Sequence, residues 1–164
     1  MKENTHEAAS SRRAFVVGAT AAGLGAILAS HLPKAAADPS PDPIKLVCVL
    51  RRRPDLTPAQ FYDYWLNHHG PFATEQVKTL GAYRYIQSHT KDSALNLALA
   101  TQHGTGEAFD GVTEVWFPSE QALITAAATP AGIQANQALA EDEKKFIDLP
   151  RSSFFVTKEY VLLG

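Results

Sequence analysis

The sequence predicts an α+β fold, a ferredoxin-like β-α-β-β-α-β sandwich with one inserted short helix. Two observations carry the prediction. Four runs of β-branched and apolar residues alternate with helical segments in the order β-α-β, short helix, β-α-β. Two such units place their helices on one face of an antiparallel sheet. The last run is also apolar on both of its alternating faces, with Phe154, Val156, Tyr160 and Leu162 on one and Phe155, Val161 and Leu163 on the other. Helices cover only one face of a sheet, so the second calls for a partner sheet. The expected unit is a homodimer with sheets packed face to face, a dimeric α+β barrel.

Composition narrows the class of protein. The chain has 164 residues, 45% apolar and 20% charged, the balance of a globular domain. A net charge of −2 excludes a broad basic surface for nucleic acid. One cysteine excludes an intrachain disulfide.

Residues 1–37 read as an export signal. Ser11-Arg12-Arg13 precedes an uncharged run over residues 14–30, and Ala35-Ala36-Ala37 supplies the small residues of a cleavage site. Ser11-Arg12-Arg13-Ala14-Phe15-Val16-Val17 resembles the twin-arginine consensus, and the weakly apolar, glycine-containing run and Lys34 agree with it. The expected location is the bacterial periplasm, with membrane contact only through this signal if it stays uncleaved. Cleavage after Ala37 removes four basic and two acidic residues and leaves 127 residues with a net charge of −4. Residues 38–43 (DPSPDP) form an extended leader, because three prolines lack amide donors and restrict their neighbours. The folded domain spans 44–164.

Residues 44–50 (IKLVCVL) make strand one, in which Cys48 is expected to be a buried thiol. Arg51-Arg52-Arg53 reads as a solvated turn. Thr57-Pro58-Ala59-Gln60 is a capping box with proline at the first helical position, so a helix starts at Pro58. It runs to about His69, where Gly70-Pro71 interrupts it, and a second piece continues to about Leu80. Gly81 releases the chain into strand two, residues 82–89. Asp92 caps a short helix over residues 93–100. Asp110-Gly111 turns into strand three, residues 112–117. Ser119 caps a helix that Thr129-Pro130 restarts and that ends near Phe146. Leu149-Pro150 breaks it, and residues 153–163 form strand four.

No zinc, phosphate or dinucleotide motif is present, so neither a metal nor a cofactor is expected. The chemistry concentrates in residues 61–72 (FYDYWLNHHGPF). At about 100° per residue, Phe61, Tyr64, Trp65, His68 and Phe72 share one helical face, with His69 at its edge. An imidazole titrates near neutrality, which makes the His68-His69 pair a candidate for proton transfer. Alternation puts Tyr83, Tyr85, Gln87 and His89 on one face of strand two. That set is too polar for plain core and suits a pocket with aromatic walls. Glu114 and Trp116 share a face of strand three, and the carboxylate is a candidate orienting partner for an imidazole.

Leu56-Thr57-Pro58-Ala59-Gln60-Phe61, followed by Tyr64-Trp65 and His69-Gly70-Pro71, resembles the opening of EthD-type domains. The resemblance continues through Tyr85 to His89, residues 109–117 (FDGVTEVWF), Asp142-Glu143 with Phe146-Ile147-Asp148, and a closing strand at residues 155–159, and so covers about residues 44–163. It implies a dimeric α+β barrel. It also implies a relation to a bacterial protein required for breakdown of ethyl tert-butyl ether, and to fungal dehydratases and decarboxylases of aromatic polyketide pathways. Carried over by position, the family's helix-end histidine falls on His69 rather than His68, and His89 and Asp110-Gly111 also match. The resulting expectation is a cofactor-free enzyme doing acid/base chemistry (dehydration, isomerisation or decarboxylation) on a small apolar or aromatic compound. His69 is then the general acid/base, with His89 or Glu114 orienting it or sharing the proton. Tyr64, Trp65, Tyr83, Tyr85 and Trp116 line the site. A non-catalytic binding or scavenging protein and a haem-handling protein are the alternative readings.

Overall fold

The computed structural model describes residues 42–163. The segment read as an export signal and most of the proline-rich leader therefore lie outside the described residues. Strand β1 (Ile44–Leu50) is followed by α1 (Pro58–Asp63), a π-helical turn (Tyr64–His69) and α2 (Gly70–Thr79), then β2 (Arg84–His89) and α3 (Ala94–His103). Strand β3 (Gly111–Phe117), α4 (Glu120–Ala127), α5 (Pro130–Glu143), a 3₁₀ turn (Leu149–Arg151) and β4 (Ser153–Thr157) complete it. The sheet order is β2-β3-β1-β4 with every pair antiparallel, which is the ferredoxin-like α+β arrangement.

The capping box forms as read: Thr57 Oγ1 accepts from the Gln60 amide, and Gln60 Oε1 accepts from the Thr57 amide. The interruption expected at Gly70-Pro71 does not occur. Asp63, Tyr64, His69 and Gly70 all keep right-handed helical dihedrals, and the helix widens where it was expected to stop. The Gly70 amide reaches back to the carbonyl of Trp65, five residues earlier. Proline lacks an amide donor and its ring crowds the carbonyl four residues before it, so a wider turn lets the chain pass through Pro71 without a break. The inserted helix also differs in detail. Ser93 rather than Asp92 caps it, accepting from the Leu95 amide, and it runs on to His103 before Gly104 takes the left-handed conformation at φ 62°.

Register assigns the faces. Leu46 lies opposite Val115 and Val156, Cys48 opposite Thr113 and Phe154, and Tyr85 opposite Val115. These residues, with Leu50, Gln87, His89 and Phe117, face the helices. There Phe61, Trp65 and Phe146 are wholly buried, and Cys48 is a buried free thiol. The opposite face carries Val47, Val49, Ile86, Val112 and Phe155 beside Lys45, Glu114 and Trp116.

Two further expectations are corrected. Strand four ends at Thr157, because this edge strand pairs only with β1, and residues 160–163 are exposed. The arginine run is a brace rather than a solvated turn. Arg51 donates to the carbonyls of Glu107 and Ala108 and stacks on Phe109, Arg52 pairs with Asp110, and Arg53 with Asp55.

Candidate active site

The helix that opens with the capping box presents two histidines, and the π-helical turn decides which of them enters the protein. Hydrogen bonds closed over five residues rather than four add a residue to the turn, so positions four apart stay in line. Trp65 and His69 therefore continue the face begun by Phe61. His69 is 6% exposed, whereas the side chain of His68 is 62% exposed. Uniform periodicity had put His68 at the centre of the buried face, and the wider turn corrects it.

His69 Nδ1 lies 2.8 Å from Oδ2 of Asp142, near the end of α5. Asp142 is itself buried, and its Oδ1 accepts from the Tyr64 hydroxyl at 2.7 Å and from Lys145 Nζ at 2.8 Å. A carboxylate can only accept, so Nδ1 carries the imidazole proton and Nε2 holds the ring's lone pair. Burial lowers the pKa of His69, and Asp142 pulls it back only in part, so the ring is neutral at pH 7. Burial raises the Asp142 carboxyl, but hydrogen bonds from Lys145, His69 and Tyr64 outweigh that and hold it below its usual range.

His89 meets the same helix from β2. Its ring stacks on Trp65 at 4.4 Å and on Tyr62 at 5.0 Å. Gln87 Nε2 donates to the Trp65 carbonyl at 3.0 Å and to Tyr85 Oη at 2.7 Å. A carbonyl cannot donate, so the amide orientation is fixed and Oε1 faces His89 Nε2 at 3.1 Å. His89 Nε2 therefore bears the proton. Burial lowers the pKa of His89 as well. Gln87 thus ties β2 to the carbonyl that the π-helical turn presents.

The structure sets Tyr64, Trp65 and His69 along one helix and Tyr85 and His89 on the sheet face toward it, with His89 stacked on Trp65 and with His69 and Tyr64 both on Asp142. It does not bring Glu114, Trp116 or Tyr83 with them. On β3 it is Thr113 and Val115 that face the helices, so Glu114 and Trp116 lie on the opposite face by alternation. There Glu114 pairs with Lys45 at 2.7 Å, and Trp116 Nε1 donates to Glu159 at 2.9 Å beneath Arg84. Within one chain Glu114 cannot orient His69; Asp142 does so. Tyr83 lies just before β2, its amide donating to the Trp116 carbonyl, and is 59% exposed. In the sequence Asp142 and Glu143 belong only to the family resemblance, which gives them no role. Burial, then the charge of Asp142, pushes the Glu143 carboxyl up to about 7.

An open cleft of about 970 Å³ between α3 and residues 104–110 shares Tyr62 with this site. Among the described residues, no group of three or more His, Cys, Asp and Glu side chains is placed to hold a metal ion.

Fold and site together define an α+β sandwich that holds a buried His–Asp pair between its sheet and its helices. Residues 53–150 match the EthD domain, and the chain belongs to the EthD family. Among solved structures, it resembles an ethyl tert-butyl ether D (EthD) family protein from Bacillus halodurans C-125, with 19% identity over 72% of this chain and 99% of that one and a TM-score of 0.50. It also resembles an EthD-like protein from Ralstonia eutropha JMP134, with 12% identity over 75% of this chain and 96% of that one and a TM-score of 0.50. At these identities the likeness is one of fold. Comparison with the curated proteins gives no match.

Proposed function

We propose that this EthD-family chain is a cofactor-free enzyme that moves protons on a small, largely apolar, aromatic or oxygenated molecule held between sheet and helices. One observation carries the reading: a buried imidazole, neutral at pH 7, whose Nδ1 is held by Asp142 so that Nε2 is left as the base. Such an arrangement contributes roughly 10²–10⁴-fold to a proton-transfer step. Dehydration, isomerisation and decarboxylation all need this and little else. Tyr64, Trp65, Tyr85 and His89 form aromatic walls with a few polar atoms, which suits a flat ligand with one or two oxygens. The apolar residues on the uncovered sheet face support a homodimer. The arginine pair and small-residue run of residues 1–37 support export to the periplasm through the twin-arginine route.

The test begins with small molecules extracted from purified protein and identified by mass spectrometry. Each is returned to the wild-type protein and to His69→Ala. Product formed by the wild type and lost in His69→Ala is the expected result. A ligand returned unchanged by both proteins would instead assign the site to binding without catalysis.

A further inference from the structure

Proline accounts for a defect in the helix that carries the histidines, but not for the form the defect takes. Pro71 has no amide donor and its ring crowds the carbonyl four residues earlier, so the turn before it has to kink, break or widen. It widens, and one side chain of β2 is bonded to the carbonyl about which the wide turn closes.

That carbonyl, of Trp65, takes two hydrogen bonds. One comes from the Gly70 amide five residues on, the other from Gln87 Nε2 at 3.0 Å. In a regular turn it would accept from the amide four residues on, that of His69. The second proton of Gln87 Nε2 goes to Tyr85 Oη at 2.7 Å, and Oε1 faces His89 Nε2 at 3.1 Å. Both donors and the acceptor are engaged, which holds the amide in one orientation. His89 in turn stacks on the Trp65 ring at 4.4 Å. Strand β2 thus grips residue 65 twice, by its carbonyl through Gln87 and by its ring through His89.

Gly70 supplies a second observation. A β-carbon there would stand 3.2 Å from Gln87 Nε2 and 3.3 Å from the Trp65 carbonyl oxygen. Gly70 keeps a helical φ of −55°, so its missing side chain gives room rather than backbone freedom. The room is used by the amide of Gln87 where it meets the helix backbone.

We propose that Gln87 is the positioning residue for His69: by donating to the Trp65 carbonyl it holds the turn closed over five residues, and that turn sets His69 rather than His68 against Asp142. The assignment rests on the proton-transfer reading above and names the group on the sheet that places its base. Gln87 acts through the helix backbone; its own hydrogen bonds go to Trp65, Tyr85 and His89, not to His69 or Asp142. Once released, the carbonyl returns to the His69 amide and the turn loses its extra residue. The His69 ring then swings by about 100°, the rotation of one helical residue, and leaves Asp142.

Diethyl pyrocarbonate, which acylates accessible imidazoles, reads the placement of both rings on the full chain without a substrate. Fragmentation of the modified peptide by mass spectrometry separates the neighbours. In the wild type His68 is expected to react and His69 to be protected, as their exposures require. Gln87→Glu keeps the length and an acceptor toward His89 but loses the donors, and Gln87→Met keeps the length alone. Each is expected to raise the reaction rate of His69 about tenfold, the worth of one hydrogen bond, with far-ultraviolet circular dichroism unchanged. Tyr85→Phe and His89→Phe remove the other two partners of the amide and should leave His69 protected. His69 protected in both Gln87 variants, or exposed as much in Tyr85→Phe or His89→Phe, would overturn the proposal. The wild type gives a measurement that survives any failure to fold. One side-chain amide proton of Gln87 should exchange with deuterium about tenfold more slowly than those of the exposed Gln102, and equal exchange would overturn the proposal. Placement is read apart from turnover. Activity retained in His69→Ala removes the proton-transfer reading and leaves the placement, whereas His69 protected in both Gln87 variants removes the placement and leaves the base.

Discussion

A β-carbon on Gly111 would stand 2.5 Å from Cζ3 of Trp65 and 2.7 Å from the carbonyl oxygen of Ser88. The indole therefore lies against bare backbone at the start of β3, and from there it stacks on His89. Gly111→Ala must displace Trp65 or bend the strand, at a cost of about 1–3 kcal/mol. Urea unfolding should show a lowered midpoint together with a change in tryptophan emission; an unchanged midpoint would contradict the close approach.

The two adjacent histidines should behave differently. His68→Ala removes an exposed ring and is expected to change stability by less than about 0.5 kcal/mol and turnover hardly at all. His69→Ala and Asp142→Asn should each lower kcat by roughly 10²–10⁴-fold, the second because the imidazole is no longer held in one tautomer. Equal losses for His68→Ala and His69→Ala would argue against the phase that the π-helical turn sets.

Stability should respond to pH with opposite signs at neighbouring groups. The lowered His69 pKa means the unfolded state binds the extra proton first, so stability falls as pH drops below about 6.5. Asp142, also lowered, adds a further loss once pH falls below its ordinary value of 3.8. Glu143 runs the other way. Its folded carboxyl holds its proton up to about 7 against 4.5 when unfolded, so stability declines as pH rises between these values. At 1.36 kcal/mol per unit this approaches about 3 kcal/mol. Glu143→Gln should therefore raise the Tm at pH 8 and flatten the profile between pH 5 and 8, measured by thermal melts across that range.

The uncovered sheet face gives a test of assembly. Val112 lies on that face opposite Val49 and Ser88. Light scattering after gel filtration should find the wild type a dimer and Val112→Glu a monomer with unchanged far-ultraviolet circular dichroism. A monomeric wild type would remove the proposed interface.

Export can be tested separately from chemistry. Replacing Arg12 and Arg13 by lysine should retain the chain in the cytoplasm, whereas the wild-type periplasmic product should begin at Asp38 by intact mass. A periplasmic product from the double-lysine variant would exclude the twin-arginine route.

Local features of the fold are legible in the sequence. The Thr57–Gln60 box, the caps at Ser119 and Thr129, and the alternation within β1 and β3 are set by residues within a turn of one another, so short-range chemistry is enough. Strand four was overextended because an apolar edge sequence looks the same whether or not a neighbouring strand pairs with it.

The sequence by itself determined the order of elements, the ferredoxin-like fold and the segment in which the chemistry lies. The resemblance named His69, but only the tertiary structure gave the physical reason that it and not His68 enters the protein: the helix widens by a residue before Pro71, which a constant period does not anticipate. Only the structure placed Glu114 and Trp116 away from the histidines, because alternation separates two faces without saying which one meets the helices. It alone supplied Asp142, which lies 73 residues from His69 and meets it only because α5 packs beside α2. A pair at that separation is made by packing, and no local signal records it.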